Sequence, residues 1–155
     1  MAVRFAREEE LPRVNALRSQ VNDVHVAGRP DVFRPGFSQE MQDFLYAIWR
    51  DPDKEIAVCE RNGAICGFAV LHRVKRPESP IRLAMDYIDI DEFGVDAACR
   101  RQGVGAEMIE FIRGWAREQG YRRLELNMWE FNEDALAFYE ALGFSTYRRY
   151  MEMTI

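Results

Sequence analysis

No stretch of this 155-residue sequence approaches the ~20 consecutive apolar residues of a membrane helix, and MAVRFAREEE lacks the apolar centre of a secretion signal. These absences predict a cytoplasmic protein without a membrane partner. Basic residues are also short: 21 Lys and Arg stand against 26 Asp and Glu, for a net charge of -5. A chain of that balance does not neutralise a phosphate backbone, so nucleic acid is excluded as a general partner and any phosphate must be held locally. Only three cysteines occur, Cys59, Cys66 and Cys99, and no C-x-x-C pair. Zinc and disulfide frameworks are excluded on that spacing, leaving reduced thiols and no metal. His25 and His72 stand alone. Repeats, low-complexity tracts and linkers are missing too, and 48% hydrophobic content suits one core, so residues 1–155 read as a single domain.

The order of elements reads β-α-α-β-β-β-α-β-α-β. Residues 2–6 alternate as a short strand. Leu11, Val14, Leu17, Val21 and Val24 then recur at helical spacing, with Pro12 in the tolerant first turn. GRPDVFRPG, residues 28–36, is a loop, with Phe33 either walling a pocket or pinning the loop to the core. Met41, Phe44, Leu45, Ile48 and Trp49 define a second helix. EIAVCE and AICGFAVLHRV, divided by RNG, form a hairpin. Residues 81–95, IRLAMDYIDIDEFGV, read as a central strand, and a helix follows from about Gly103 to Glu118. Tyr121 to Trp129 is a strand, NEDALAFYEAL a helix capped by Asn132, and FSTYRRYMEMTI a final strand.

CRRQGVGAEM, residues 99–108, sets arginines and glycines before a helix where Ser, Thr or Asp is the plain cap. The first amides of a helix have no internal partners, and the helix dipole adds positive potential. Strand, glycine turn and helix in succession therefore describe an anion cradle. It is not a dinucleotide turn, because Gly103-Val104-Gly105 is followed by Ala106-Glu107-Met108 with no third glycine. A Gly-Lys-Ser/Thr continuation is missing as well.

VDAACRRQGVGAEMIEFI resembles the acyl-CoA-binding segment of the GNAT superfamily of N-acetyltransferases, with Arg100, Gly103 and Gly105 at its fixed positions. NEDALAFYEALGF resembles the family's later segment through Asn132, Ala135, Phe138, Tyr139, Leu142, Gly143 and Phe144. The resemblance implies an α+β fold: a mixed, mostly antiparallel central sheet flanked by helices, with two central strands splayed apart. Acetyl-CoA is the implied cosubstrate. Its pantetheine arm would pair with main chain at Phe93 and Val95. Its pyrophosphate would rest on Arg101, Gln102, Gly103, Val104, Gly105 and Ala106 beside Arg100, and Asn132 would contact it while fixing the last helix.

Direct transfer to an amine in a ternary complex needs an acid for the departing sulfur and a base for the amine. Tyr139 matches the family's acid. DYIDIDEFGV supplies the base as Asp91 or Glu92, directly or through a water. On a regular strand Asp89 and Asp91 share a face and Glu92 takes the other, unless a bulge shifts the alternation. Asn127 stands where some relatives carry a further carboxylate. The acidic run favours a small cationic amine as acceptor. Acetylation of a protein or peptide N-terminus and a non-catalytic acyl-CoA-binding regulatory module are the alternatives, and YRRYMEMTI is a candidate homodimer strand.

Overall fold

The computed structural model describes residues 1–155. Nine regular elements follow in order: β1 (Ala2–Phe5), α1 (Leu11–Gly28), α2 (Gln39–Arg50), β2 (Lys54–Arg61), β3 (Ala64–Arg76), β4 (Met85–Val95), α3 (Val104–Glu118), β5 (Leu124–Leu126) and α4 (Glu133–Ala141). The helices begin where local chemistry allows: Pro12 lies in the first turn of α1, and Ser38 Oγ accepts from the Met41 amide at the start of α2. Asn62 and Gly63, at φ of 51° and 75°, close the β2–β3 hairpin. Both positive values suit the twist of the flanking strands.

The strands form one sheet in chain order, antiparallel as far as β4, with β5 parallel to β4. Alternation sends Ala57, Cys59, Ala69, Leu71, Ile88 and Ile90 to one face, where Met108, Ile109 and Ile112 of α3 cover them. Ile56, Val58, Phe68 and Val70 face the other way, onto Leu11, Val14 and Leu17 of α1 and Leu45 and Ile48 of α2. Two half-cores against one sheet make a three-layer domain.

Three sequence expectations are corrected. β4 starts at Met85, not at Ile81: Pro77 and Pro80 interrupt the ladder, and a Ser79–Arg82 bridge closes a tight turn that leaves Ile81 89% exposed. β5 is three residues long instead of spanning Tyr121 to Trp129, since its pairing is confined to Ile88–Ile90 of β4. The expected C-terminal strand forms no ladder. Its neighbour β5 is too short a template, and side chains alone tie the tail: Tyr147 Oη donates to Glu125 Oε1 at 2.5 Å, and Glu152 pairs with Arg29 at 2.8 Å.

α1 packs tightly on β4 at Gly94, where an added Cβ would sit 2.7 Å from both Phe68 and Val21. Gly94→Ala is therefore expected to overpack this contact and lower stability by about 1–3 kcal/mol, read as a reduced urea midpoint at unchanged m-value. An unchanged midpoint would show that α1 is free to shift.

Candidate active site

Between Val70 and Leu71 of β3 the register with β4 slips by one: Val70 pairs with Glu92 and Leu71 with Ile90, so Asp91 is an extra residue in a β-bulge. The bulge reverses the alternation beyond it. Asp89 pairs with His72 on the α1/α2 face, and Glu92 is turned to that same face, where both its oxygens meet Arg18 of α1 at 2.7 and 2.9 Å. Asp91 lies 3.7 Å from Lys54 and 4.0 Å from His72. Three carboxylates thus share one side, where a regular strand would have sent Glu92 to the α3 side.

The bulge also parts the sheet. Parallel pairing of β4 with β5 stops at Ile90 and Leu126, whereas β4 continues to Val95. The Asp96 amide donates to Cys66 O across β3, so alternation turns the main chain of Phe93 and Val95 the opposite way, into the gap. Tyr139 of α4 borders this gap, its ring packed on Phe93, Phe138 and Phe144 with centroids 6.1, 5.1 and 5.6 Å away. Burial pushes its phenol up to about 12. Asn132 caps α4, its Oδ1 accepting from the Ala135 amide at 3.1 Å.

The glycine turn lies at the end of the same gap. None of the amides of residues 100–106 donates to another group of the chain. Gly103, at φ 82°, turns the chain into α3 without a side-chain cap and has open space around its Cβ position. Those features fit a pyrophosphate laid on bare amides. Gly105 serves differently: a Cβ there would lie 2.8 Å from Phe138, so this glycine lets α4 close on α3. Val104 is buried under β3, leaving only its main chain for a ligand. Gln102 is engaged with Arg61 and the Ala98 carbonyl, and Arg100 and Arg101 are exposed.

Two features escaped the sequence reading. Arg18, only 7% exposed, also donates to Asn15 Oδ1 and Met41 O. Its signal is a cation on the apolar stripe between Val14 and Val21, which needs a buried partner. For Asp89, placed in the acidic run by the sequence, it is the perturbed titration that was missed. Burial first, then the charge and hydrogen bond of Asp91 and the charge of Glu125, raise its carboxyl to about 7. Glu125 stands opposite it in the β4–β5 register. Neither cysteine of the buried pair is reactive: burial drives the Cys59 thiol up to about 12 and raises Cys66 as well.

A mixed sheet in which β4 parts from its parallel edge neighbour β5, with a bare-amide helix start beside the split, is the architecture of an acyl-CoA-dependent acyltransferase fold. The acetyltransferase (GNAT) family model matches residues 19–144, and the chain belongs to that family. A 5-NmdU N-acetyltransferase of Pseudomonas phage PaMx11 is 35% identical over 91 residues, 58% of this chain and 56% of that protein. The probable N-acetyltransferase family 8 member 5 of Mus musculus is 28% identical over 133 residues, 84% and 56% of the two chains. The chain thus spans little more than half the length of these relatives. A tetramutant of the BH1408 protein from Bacillus halodurans superposes with a TM-score of 0.95 at 26% identity, covering 100% of both chains. AAC(6')-Iy bound to the bisubstrate analog CoA-S-monomethyl-acetylneamine shares the fold, with a TM-score of 0.77 at 17% identity over 99% and 97% of the chains. No helix is long and apolar enough to cross a membrane.

The sign of the Asp89 shift fixes a pH dependence. Its carboxyl titrates near 7 when folded, above the ordinary 3.8, so the folded chain keeps a proton that the unfolded chain loses. Stability from this group is complete below about pH 4 and falls as pH rises towards 7. Asp89→Asn is expected to exceed the parent protein by about 1–2 kcal/mol at pH 8, discounting for partial exposure, with the gap closing by pH 4 in urea titrations. A gap independent of pH would contradict the shift.

Proposed function

We propose that the protein transfers the acetyl group of acetyl-CoA to a primary amine by direct attack in a ternary complex, with a small cationic amine as acceptor. The observation that carries this reading is the bulge at Asp91, which sets Asp89, Asp91 and Glu92 on the α1/α2 side of the gap while Tyr139 borders it from α4. An amine is then met by carboxylates on one side, and a thioester lying in the gap by a phenol on the other.

Asp91 is the better base of the two candidates, because Arg18 occupies both oxygens of Glu92. Glu92 instead contributes fixed negative charge beside the acceptor. Asn127 is exposed just past β5 and carries no charge with which to take a proton. Phe93 and Val95 would pair with the pantetheine amides. Residues 101–106 would hold the pyrophosphate, with Arg100 adding charge, and Asn132 would act by fixing α4.

The amine nitrogen attacks the thioester carbon, the C–S bond breaks, and the amide forms. The ammonium loses one proton before attack and a second as the tetrahedral intermediate collapses. One of these ends on the CoA sulfur and the other leaves through the base to water. A phenol near 12 stays protonated at neutral pH, and giving its proton outright to a thiolate of ordinary acidity runs uphill by roughly 5 kcal/mol. Tyr139 therefore steadies the sulfur by donating a hydrogen bond as charge develops there. Much of the remaining acceleration comes from holding the amine against the carbonyl.

The test is CoA release from acetyl-CoA across polyamines, aminoglycosides, amino acids and peptides. Tyr139→Phe should lower kcat about 100-fold with acetyl-CoA affinity unchanged within threefold. Acetyl-CoA binding with no turnover on any amine would reject the transferase reading in favour of a binding module.

A further inference from the structure

Four aromatic rings that belong to neither hydrophobic core lie against one another. His25 comes from α1, Phe33 from the α1–α2 loop, and Trp129 and Phe131 from the segment between β5 and α4. Phe33 stacks on His25 at 4.8 Å and 22°, Trp129 meets Phe33 edge-on at 5.1 Å, and Phe131 meets His25 edge-on at 6.4 Å. All four are half-buried. The assembly depends on Gly28, where a Cβ would lie 2.2 Å from the Phe131 ring. Three chain segments thus converge to hold rings that no core requires.

Their position is at the acceptor side. Trp129 and Phe131 follow β5 just past the point where it leaves β4, and His25 is near enough to Glu92 to feel its charge. Burial lowers the titration of His25, so its ring is neutral at pH 7. A bare cation is a poor occupant of this wall. The Arg29 guanidinium already lies 5.3 Å from the Trp129 ring centre, held there by Asp31 and Glu152. Positive charge is served instead by Asp91 and Glu92, leaving the rings to a flat, uncharged surface.

We infer that the acceptor is a primary amine borne on a flat aromatic or heteroaromatic ring, with the ring against His25, Phe33, Trp129 and Phe131 and the amine at the β4 carboxylates. This rests on the transferase reading of the cleft. The charged and flat ends of such a molecule match the two parts of the site separately, as an aliphatic polyamine does not.

Two amines of equal chain length separate flatness from size and charge: 2-phenylethylamine and 2-cyclohexylethylamine, titrated calorimetrically into the full chain saturated with CoA, where no transfer occurs. Stacking of the strength found between aromatic side chains corresponds to about tenfold tighter binding of the flat ring. Trp129→Leu and, separately, Phe33→Leu should each reduce that preference to twofold or less, with CoA affinity retained as the control for folding. Equal affinities in the parent protein, or a preference that survives both substitutions, would overturn the inference. CoA release with acetyl-CoA is read in parallel. No release from either amine or from any amine of the panel above, with the binding preference intact, would overturn the transferase reading and leave the ring site standing.

Discussion

One extra residue in β4 governs the rest of the site. Without Asp91 as a bulge, β4 would keep its register with β3 throughout, and Glu92 would point into the α3 layer, a charge among Met108, Ile109 and Ile112. With it, Glu92 meets Arg18, α1 is tied across the sheet, and the β4 main chain at Phe93 and Val95 is turned away from β3 where β5 has already departed. The gap, the acidic side and the clamp on α1 are one structural event.

Electrostatics then divides the molecule into two halves of opposite preference. The amides of residues 100–106 and the nearby arginines form a local site for negative charge on a chain whose net charge is -5. Across the sheet, Asp89, Asp91, Glu92 and Glu125 gather negative charge, and burial, followed by the charges of Asp91 and Glu125, keeps the Asp89 proton to about 7. On the function proposed above, a phosphate-bearing donor and an amine-bearing acceptor would be sorted to opposite ends of one gap. Arg18 limits the mutual repulsion of the acids, as a nearly buried guanidinium needs a carboxylate as much as Glu92 needs a cation.

The sequence made the periodic parts legible. Leu11, Val14 and Leu17, the Asn62-Gly63 turn, the bare start of α3 and the Asn132 cap all follow from local spacing and local chemistry. The direction of Glu92 was not legible, because a bulge depends on how β3 pairs, and β3 is 16 residues or more away in the chain. β5 and the tail failed for a related reason: strand pattern at 121–129 and 144–155 became a ladder only where a partner backbone lay within reach. The four-ring wall is assembled from segments about a hundred residues apart, and of its rings only Phe33, as one of two readings, suggested a pocket wall from the sequence.

The central claim is that one end of the gap is built to receive an acyl-CoA through unpaired main-chain amides. Backbone NMR resolves those amides individually. On titration with acetyl-CoA, the amides of residues 101–106, with those of Phe93 and Val95, should show the largest shifts and gain protection from exchange. Saturable binding that leaves these signals in place and moves others would contradict the account.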